Sequence, residues 1–174
     1  MAAERFAQQL NTQIANELAS HNQYLSCAVY YDAQVMPQMA AFFYRQASEE
    51  REHALMMVKY LLDTDHHVEI GAMPATVSRF DDVIAPVALA LEQEKRVTEQ
   101  INDLYRIARE EIDFASEQFM SWFITEQVEE VASMSDLLAV VTRNRDDIEQ
   151  IEEYVARNGG GGGADPTAPK IAGA

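Results

Sequence analysis

Glu50 and His53 place a carboxylate and an imidazole three residues apart, on what the apolar pattern predicts to be the buried face of a helix. Burying such a pair is costly unless a cation lies between the two side chains. Three further acids interrupt the apolar stripes of three other predicted helices, namely Glu17, Glu94 and Glu130. Four helices that direct these side chains at one point predict a metal site inside a helix bundle.

The four acids also indicate which metals would bind. A single acid in a helix stripe is more often a surface position or a hydrogen-bonded core group, but four coincident exceptions favour a common cause. Burial of one uncompensated carboxylate costs several kcal/mol, whereas two divalent cations neutralise four carboxylates. An oxygen-rich set with one imidazole suits iron or manganese better than structural zinc, and spacing does not separate those two metals. Glu50 is best placed to bridge two ions, and Glu130 has the same opportunity from its own helix.

Three more acids, Glu49, Glu126 and Glu129, lie just off the central stripes. At 100° per residue Glu126 and Glu129 follow Gln127 and Glu130 around one helix, and Glu49 lies 100° from Glu50 on another. The three acids could therefore line a path away from the centre. A solvated acidic face with surface ion pairs fits the same periodicity equally well. The sequence pattern alone therefore leaves both interpretations open.

Tyr24 lies two helical turns after Glu17, on the same face. It is either a core tyrosine whose hydroxyl reaches a buried carboxylate or an electron donor to a bound oxidant. His21 stands four residues after Glu17. We do not include His21 among the predicted ligands.

The elements that must position these residues are helical, and an all-α fold is predicted. Apolar residues recur every three or four positions in five segments, of which the last is short. These segments cover residues from about 4–33, 37–63, 83–110, 114–142 and 146–157. Between the second and third segments, Gly71 and Pro74 interrupt the period in residues 64–81. An extended connection of this length can span a long helix, so these two segments could run parallel.

Length and composition limit the function classes. The chain of 174 residues predicts one domain over residues 1–158, followed by a flexible glycine-rich tail over 159–174. Its net charge of -16 opposes nucleic acid or anionic membrane as a partner. The single cysteine, Cys27, excludes an intrachain disulfide and a thiolate metal cluster. We find no targeting segment and no apolar run of about 20 residues, and we expect a cytoplasmic protein.

The chain resembles the ferritins, and among them the non-haem bacterial ferritins, from about Glu4 to Arg157. The resemblance is carried by Asn16-Glu17, Tyr24, the run Glu49-Glu50-Arg51-Glu52-His53-Ala54, Glu94 and the run Glu126-Gln127-Val128-Glu129-Glu130. It implies a four-helix bundle with a long crossover between the second and third helices and a short fifth helix. It also implies a hollow shell of twenty-four chains that oxidises Fe(II) with dioxygen or peroxide and stores ferric mineral.

The resemblance also assigns residues to iron sites, with two to three ions per subunit. Glu17, Glu50 and His53 match the first iron site, and Glu50 bridges to a second site that Glu94 and Glu130 complete. The remaining matches are Gln127 beside the iron pair, Tyr24 as the nearby tyrosine, and Glu49, Glu126, Glu129 and Glu130 as a third iron site.

Departures from related families narrow the resemblance. Haem-binding bacterioferritins carry a second Glu-x-x-His where this chain has Gln127 and Glu130, so no haem is expected. Rubrerythrin-type peroxidases carry a cysteine-rich iron module, which a chain with one cysteine cannot form.

Two alternative functions remain. One is a diiron or dimanganese redox enzyme without mineral storage. The other is a metal-free helical scaffold, which would leave four buried acids uncompensated. Asp113 and Glu117 could line an iron-entry pore, but helix capping is favoured.

Overall fold

The computed structural model describes residues 2–159 and 165–173 and contains five α-helices and no β-strand in that part of the chain. The helices are α1 (Glu4–Ala33), α2 (Pro37–Asp63), α3 (Ala85–Glu110), α4 (Phe114–Arg143) and α5 (Ile148–Asn158). Helix α1 packs against α2 and α3, α3 packs against α4, and α5 packs against α2 and α4. The prediction of an all-α four-helix bundle with a short fifth helix is confirmed.

The crossover between α2 and α3 follows α1 from its first half to its end. The side chain of Asn11 bonds the backbone of His67, Gln23 bonds the backbone of Val77, and the Tyr31 hydroxyl donates to the carbonyl of Val83 at 2.6 Å. Because these partners advance in the same order on both segments, the crossover runs the length of α1. Helices α2 and α3 are therefore parallel, as the length of this connection predicts.

The core consists of two apolar clusters separated by a polar layer. Phe43 and Tyr31, with ring centroids 5.5 Å apart, belong to the first cluster, whereas Leu10 and Met57 belong to the second. Between the clusters each long helix buries polar side chains, which include Gln13, Glu17, Glu50, His53, Glu94, Gln127 and Glu130. Apolar packing on both sides thus encloses the charged groups and keeps them away from water.

Asp113 caps the start of α4 and ties the chain's beginning to it. Its carboxylate accepts hydrogen bonds from the Ser116 backbone N–H at 3.1 Å, the Ser116 hydroxyl at 2.6 Å and the Ala3 N–H at 2.8 Å. Glu117 accepts from the Tyr105 hydroxyl and from Arg109, each at 2.8 Å. These contacts support the capping interpretation for Asp113.

Replacing Asp113 with alanine is expected to destabilise the metal-free chain by about 0.5–2 kcal/mol, since the cap satisfies N–H groups that the helix itself leaves unpaired. Urea unfolding followed by circular dichroism measures the change. Asp136→Ala, at an exposed acid on the same helix, is the matched control. Equal unfolding midpoints for the two variants would contradict the capping role.

The end of the chain lies against the bundle in the described stretch 165–173. The Trp122 indole N–H donates to Asp165 at 2.7 Å, and the Ala172 N–H donates to the Leu55 carbonyl at 3.1 Å. Ala168 and Ile171 pack against the second apolar cluster. Residues 160–164 and 174 lie outside the described residues, and the domain boundary and flexibility predicted for 159–174 stay predictions. In the described part, no helix combines the length and the apolar character needed to cross a membrane.

Candidate metal centre

Five of the predicted ligands meet in the polar layer, one or two from each long helix. Glu17, Glu50, His53, Glu94 and Glu130 are between 0% and 6% exposed. Each occupies a position that its helical repeat turns inward, where an apolar side chain would otherwise stand. The fold therefore brings four acids and one imidazole into the interior, as their spacing predicts.

Glu17, Glu50 and His53 form the tightest group. Each offers one ligand atom within 4.8 Å of the others, and His53 Nδ1 lies 3.8 Å from Glu50 Oε2. Trp122 and Phe123 pack edge-on against the His53 ring, with centroids 5.6 Å and 5.7 Å away. The aromatic rings fix the plane of the imidazole, so this group has the donors and the rigidity to hold one cation.

Three of the buried carboxylates present an oxygen that no hydrogen-bond donor reaches. These atoms are Oε2 of Glu17, Glu50 and Glu94, each without a partner among the described residues. The second oxygen of Glu17 accepts from the Gln13 amide at 2.9 Å, and that of Glu94 accepts from the Tyr24 hydroxyl. Because an unpaired buried carboxylate oxygen is costly, three of them in one layer fit the donor set of a cation site.

Without a cation the layer retains protons. Burial, together with the charges of Glu94 and Glu17, raises the pKa of Glu50 well above its usual value. Burial raises the pKa of Glu94 to about 7 and, with the charge of Glu94, raises that of Glu130 well above its usual value. A cation that binds here competes with these protons, because both neutralise the same oxygens.

Tyr24 and Gln127 border Glu94. Burial and the charges of Glu94 and Glu50 raise the pKa of Tyr24, so its phenol stays protonated and donates to Glu94. The Gln127 side-chain oxygen accepts from the Thr98 hydroxyl at 2.9 Å, which fixes the amide beside the centre. The position of Tyr24 fits the core tyrosine that the sequence allows, and its role as an electron donor stays a prediction.

The acids of the predicted third site share one cavity of about 190 Å³ beside the polar layer. Its lining includes Glu49, Glu126, Glu129 and Glu130. Burial raises the pKa of Glu49 and that of Glu126, whereas Glu129 is exposed. The cavity therefore leads from the buried Glu130 towards the surface of the bundle. A path for ions through these acids stays a prediction.

A larger cavity of about 570 Å³ lies next to it and is covered by the end of the chain. His53, Glu49 and Glu126 line one side, whereas Asp165 and Thr167 line the other. Asp165 is held there by Trp122, the residue that packs against His53. The described tail segment is thus part of the wall around the predicted metal sites.

Sequence reasoning omitted two glutamines that contact the predicted ligands. Gln13 donates to Glu17, and Gln46 donates to Glu49. Each stands three or four residues before its acid, the spacing at which helical side chains meet, so the helix repeat carried a signal for both. His21, which we left out, places Nδ1 2.6 Å from the Ala47 carbonyl oxygen.

Comparison with known proteins gives a family for the chain. The model of the ferritin-like domain matches residues 7–144. The chain is 46% identical over 169 residues to Ferritin BfrB of Mycolicibacterium smegmatis, covering 97% of this chain and 93% of that protein. It is 32% identical over 154 residues to a bacterial non-heme ferritin of Staphylococcus aureus, covering 88% of this chain and 93% of the relative.

A solved structure agrees with these matches. An open pore ferritin from the archaeon Archaeoglobus fulgidus superposes with a TM-score of 0.85 at 29% identity, over 91% of this chain and 98% of that one. Sequence and fold thus lead to the same group of proteins, which supports iron storage as the general function. The chain belongs to the ferritin family and resembles its bacterial members.

Proposed function

We propose that this protein is an iron-storage ferritin that oxidises Fe(II) to Fe(III) at a two-iron ferroxidase centre within each subunit. The observation that carries the proposal is the set of unpaired, buried carboxylate oxygens on Glu17, Glu50 and Glu94, beside His53. When these carboxylates are ionised they need cations to offset their burial, and the set offers the oxygen and nitrogen donors that iron accepts.

In this proposal the buried side chains bind two iron ions. Glu17 and His53 hold the first, Glu94 and Glu130 hold the second, and Glu50 bridges the two. When Fe(II) arrives, Glu50 and Glu94 release protons that burial had kept on them. Two Fe(II) ions give up one electron each, and one dioxygen accepts both electrons and two protons to become hydrogen peroxide. Peroxide as the oxidant would instead yield two water molecules.

Fe(III) leaves through the acids that line the smaller cavity, Glu49, Glu126 and Glu129, with Glu130 shared between the centre and this third site. Gln127 stands beside the pair. Tyr24 donates its hydroxyl to Glu94, and we propose it as a one-electron donor for a centre that holds only one Fe(II), where it supplies the second electron that reduction of dioxygen to peroxide requires. Two to three ions per subunit are therefore bound in transit, and the site uses no haem.

Storage requires a closed container, so we further propose a shell of twenty-four copies in the cytoplasm, with mineral in its hollow interior. The named relatives are ferritins, and the described part of the chain matches an open pore ferritin along nearly its whole length. A diiron or dimanganese redox enzyme without storage is the alternative, and the amount of retained iron separates the two.

Aerobic addition of excess Fe(II) to the purified protein, followed by size-exclusion chromatography, tests the proposal. We expect far more than three iron atoms per chain to elute with a large particle, because mineral growth is limited by the interior volume and not by ligand number. Two or three atoms on a small oligomer would favour the redox enzyme. No retained iron would return the buried acids to a structural role.

A further inference from the structure

The single tryptophan of the chain, Trp122, lies between the proposed two-iron centre and the tail segment 165–173. Its ring packs edge-on against the His53 ring, with the centroids 5.6 Å apart, and its indole N–H donates to Asp165 Oδ2 at 2.7 Å. Helix α2 contributes His53, α4 contributes Trp122, and the tail contributes Asp165. One oxidisable side chain therefore links a proposed iron ligand to the end of the chain.

Asp165 is suited to take a proton from the indole. A proton acceptor must lie within about 2.6–3.2 Å of the atom that gives up the proton, and the distance of 2.7 Å meets this condition. Hydrogen bonds from Trp122 and from Thr167 lower the pKa of Asp165, so its carboxylate is ionised at neutral pH. Because Asp165 is exposed, a proton that it accepts can pass on to water.

Trp122 resembles Tyr24 in its surroundings but stands beside the other proposed ion. Tyr24 donates its hydroxyl to Glu94, a proposed ligand of the second ion, whereas Trp122 contacts His53, a proposed ligand of the first. In both side chains the group that would lose a proton on oxidation points at a carboxylate. Asp165 is not among the proposed ligands, so iron binding leaves it free to accept the proton.

We propose that Trp122 donates one electron when a lone Fe(II) at the first site meets hydrogen peroxide, and that Asp165 accepts the indole proton. This inference rests on the proposed function, which produces the peroxide when dioxygen is reduced. Fe(II) supplies one electron and Trp122 the other. Peroxide accepts both electrons, with two protons from solvent, and becomes two water molecules. The next Fe(II) to arrive reduces the indole radical, and Asp165 returns the proton.

The second electron determines what the peroxide becomes. With only the one electron of a lone Fe(II), peroxide splits into hydroxide and a hydroxyl radical, which attacks the side chains around it. Trp122 completes the two-electron reduction, so that radical does not form. The tail takes part because loss of an electron leaves a positive charge on the indole beside the iron, and transfer of the proton to Asp165 removes this charge.

Mixing metal-free protein that carries one Fe(II) per chain with one equivalent of hydrogen peroxide, without oxygen, tests the inference. Freeze-quench electron paramagnetic resonance should show a neutral indole radical, which belongs to Trp122 because the chain has one tryptophan. Asp165→Asn keeps an acceptor oxygen at the same reach but is a poor base, so the radical should form at least ~10-fold more slowly. Asp136→Asn, at an exposed position of α4, is the control for the change in charge.

A spin trap in the same mixture measures the hydroxyl radical. We expect little of it from the unaltered protein and several-fold more from Trp122→Phe, which keeps an aromatic ring against His53 but removes the electron donor. Equal amounts from both proteins would overturn the inference. Should Trp122→Phe fail to fold, Asp165→Asn carries the test, since it changes only an exposed residue of the tail.

The remaining outcomes separate this inference from the function on which it rests. Absence of an indole radical in the unaltered protein, together with rapid oxidation of two Fe(II) per chain in air, would overturn the inference and leave the two-iron function standing. Equal rates of radical formation in Asp165→Asn and Asp136→Asn would overturn the role of Asp165. Failure to oxidise iron with either oxidant would overturn both proposals.

Discussion

Replacing Glu50 with alanine is expected to abolish rapid iron oxidation and leave the helical fold intact. In the proposed centre Glu50 bridges the two ions, so its loss would separate the metals and remove one ligand from each. Loss of a group that merely orients a ligand costs about 10–100-fold, and loss of the bridge itself should reach at least ~100-fold. The fold survives because the change removes a carboxylate whose burial is unfavourable without metal.

Stopped-flow absorbance after mixing with two Fe(II) per chain in air measures this loss. Glu99→Ala is the matched control, because Glu99 is an exposed helical acid on α3 and its removal changes the net charge by the same amount. Oxidation by Glu50→Ala at the rate of Glu99→Ala would refute the two-iron centre. Circular dichroism of both variants checks that any loss is not due to unfolding.

The helices were predictable because their apolar repeat is long, and the residual errors lie at their ends. We expected the third helix near residue 83, but α3 begins at Ala85, directly after a turn in which the Asp82 carboxylate accepts the N–H groups of Ile84 and Ala85, each at 2.9 Å. The fifth helix begins at Ile148, where Asp147 caps it, and not near residue 146. Local side-chain hydrogen bonds accompany both boundaries, and the apolar period carries no signal of them.

The centre was predictable for a different reason. An acid within an apolar stripe is an exception that the helix repeat reveals directly, and four helices each carry one. Spacing could not decide whether Glu49, Glu126 and Glu129 form a solvated face or line a path, because both outcomes place them at the same helical angles. Only the folded bundle, in which residues of α2 and α4 line the same cavity, brings the three acids together.

Contacts between distant parts of the chain were beyond sequence reasoning. Gln46 reaches Glu130 across 84 positions, and Trp122 reaches Asp165 across 43. Neither pair shares a helix, so no periodic pattern relates its members. The tail was predicted to be flexible from its composition, which contains no information on where the segment 165–173 lies.

Metal-free protein is expected to lose stability as the pH rises from about 5 to 8. Burial raises the folded-state pKa of Glu94 to about 7, and it also raises the pKa values of Glu50 and Glu130. An unfolded glutamate has a pKa near 4.3. Below that value each group is protonated in both states and burial carries no charge penalty. As the pH rises through the folded-state pKa, the bundle must hold protons or accept buried charge, so the free energy of unfolding falls.

Melting temperatures of metal-free protein at pH 5.5 and pH 8 measure this decline, and Zn²⁺ at pH 8 should reverse it by neutralising the same oxygens. The net charge of -16 also adds repulsion as the pH rises, so two triple variants with equal charge change are compared. The first replaces Glu50, Glu94 and Glu130 with glutamine, and the second replaces the exposed Glu69, Glu99 and Glu149. A flatter profile only in the first variant assigns the decline to the buried layer, whereas equal flattening in both would assign it to the surface charge.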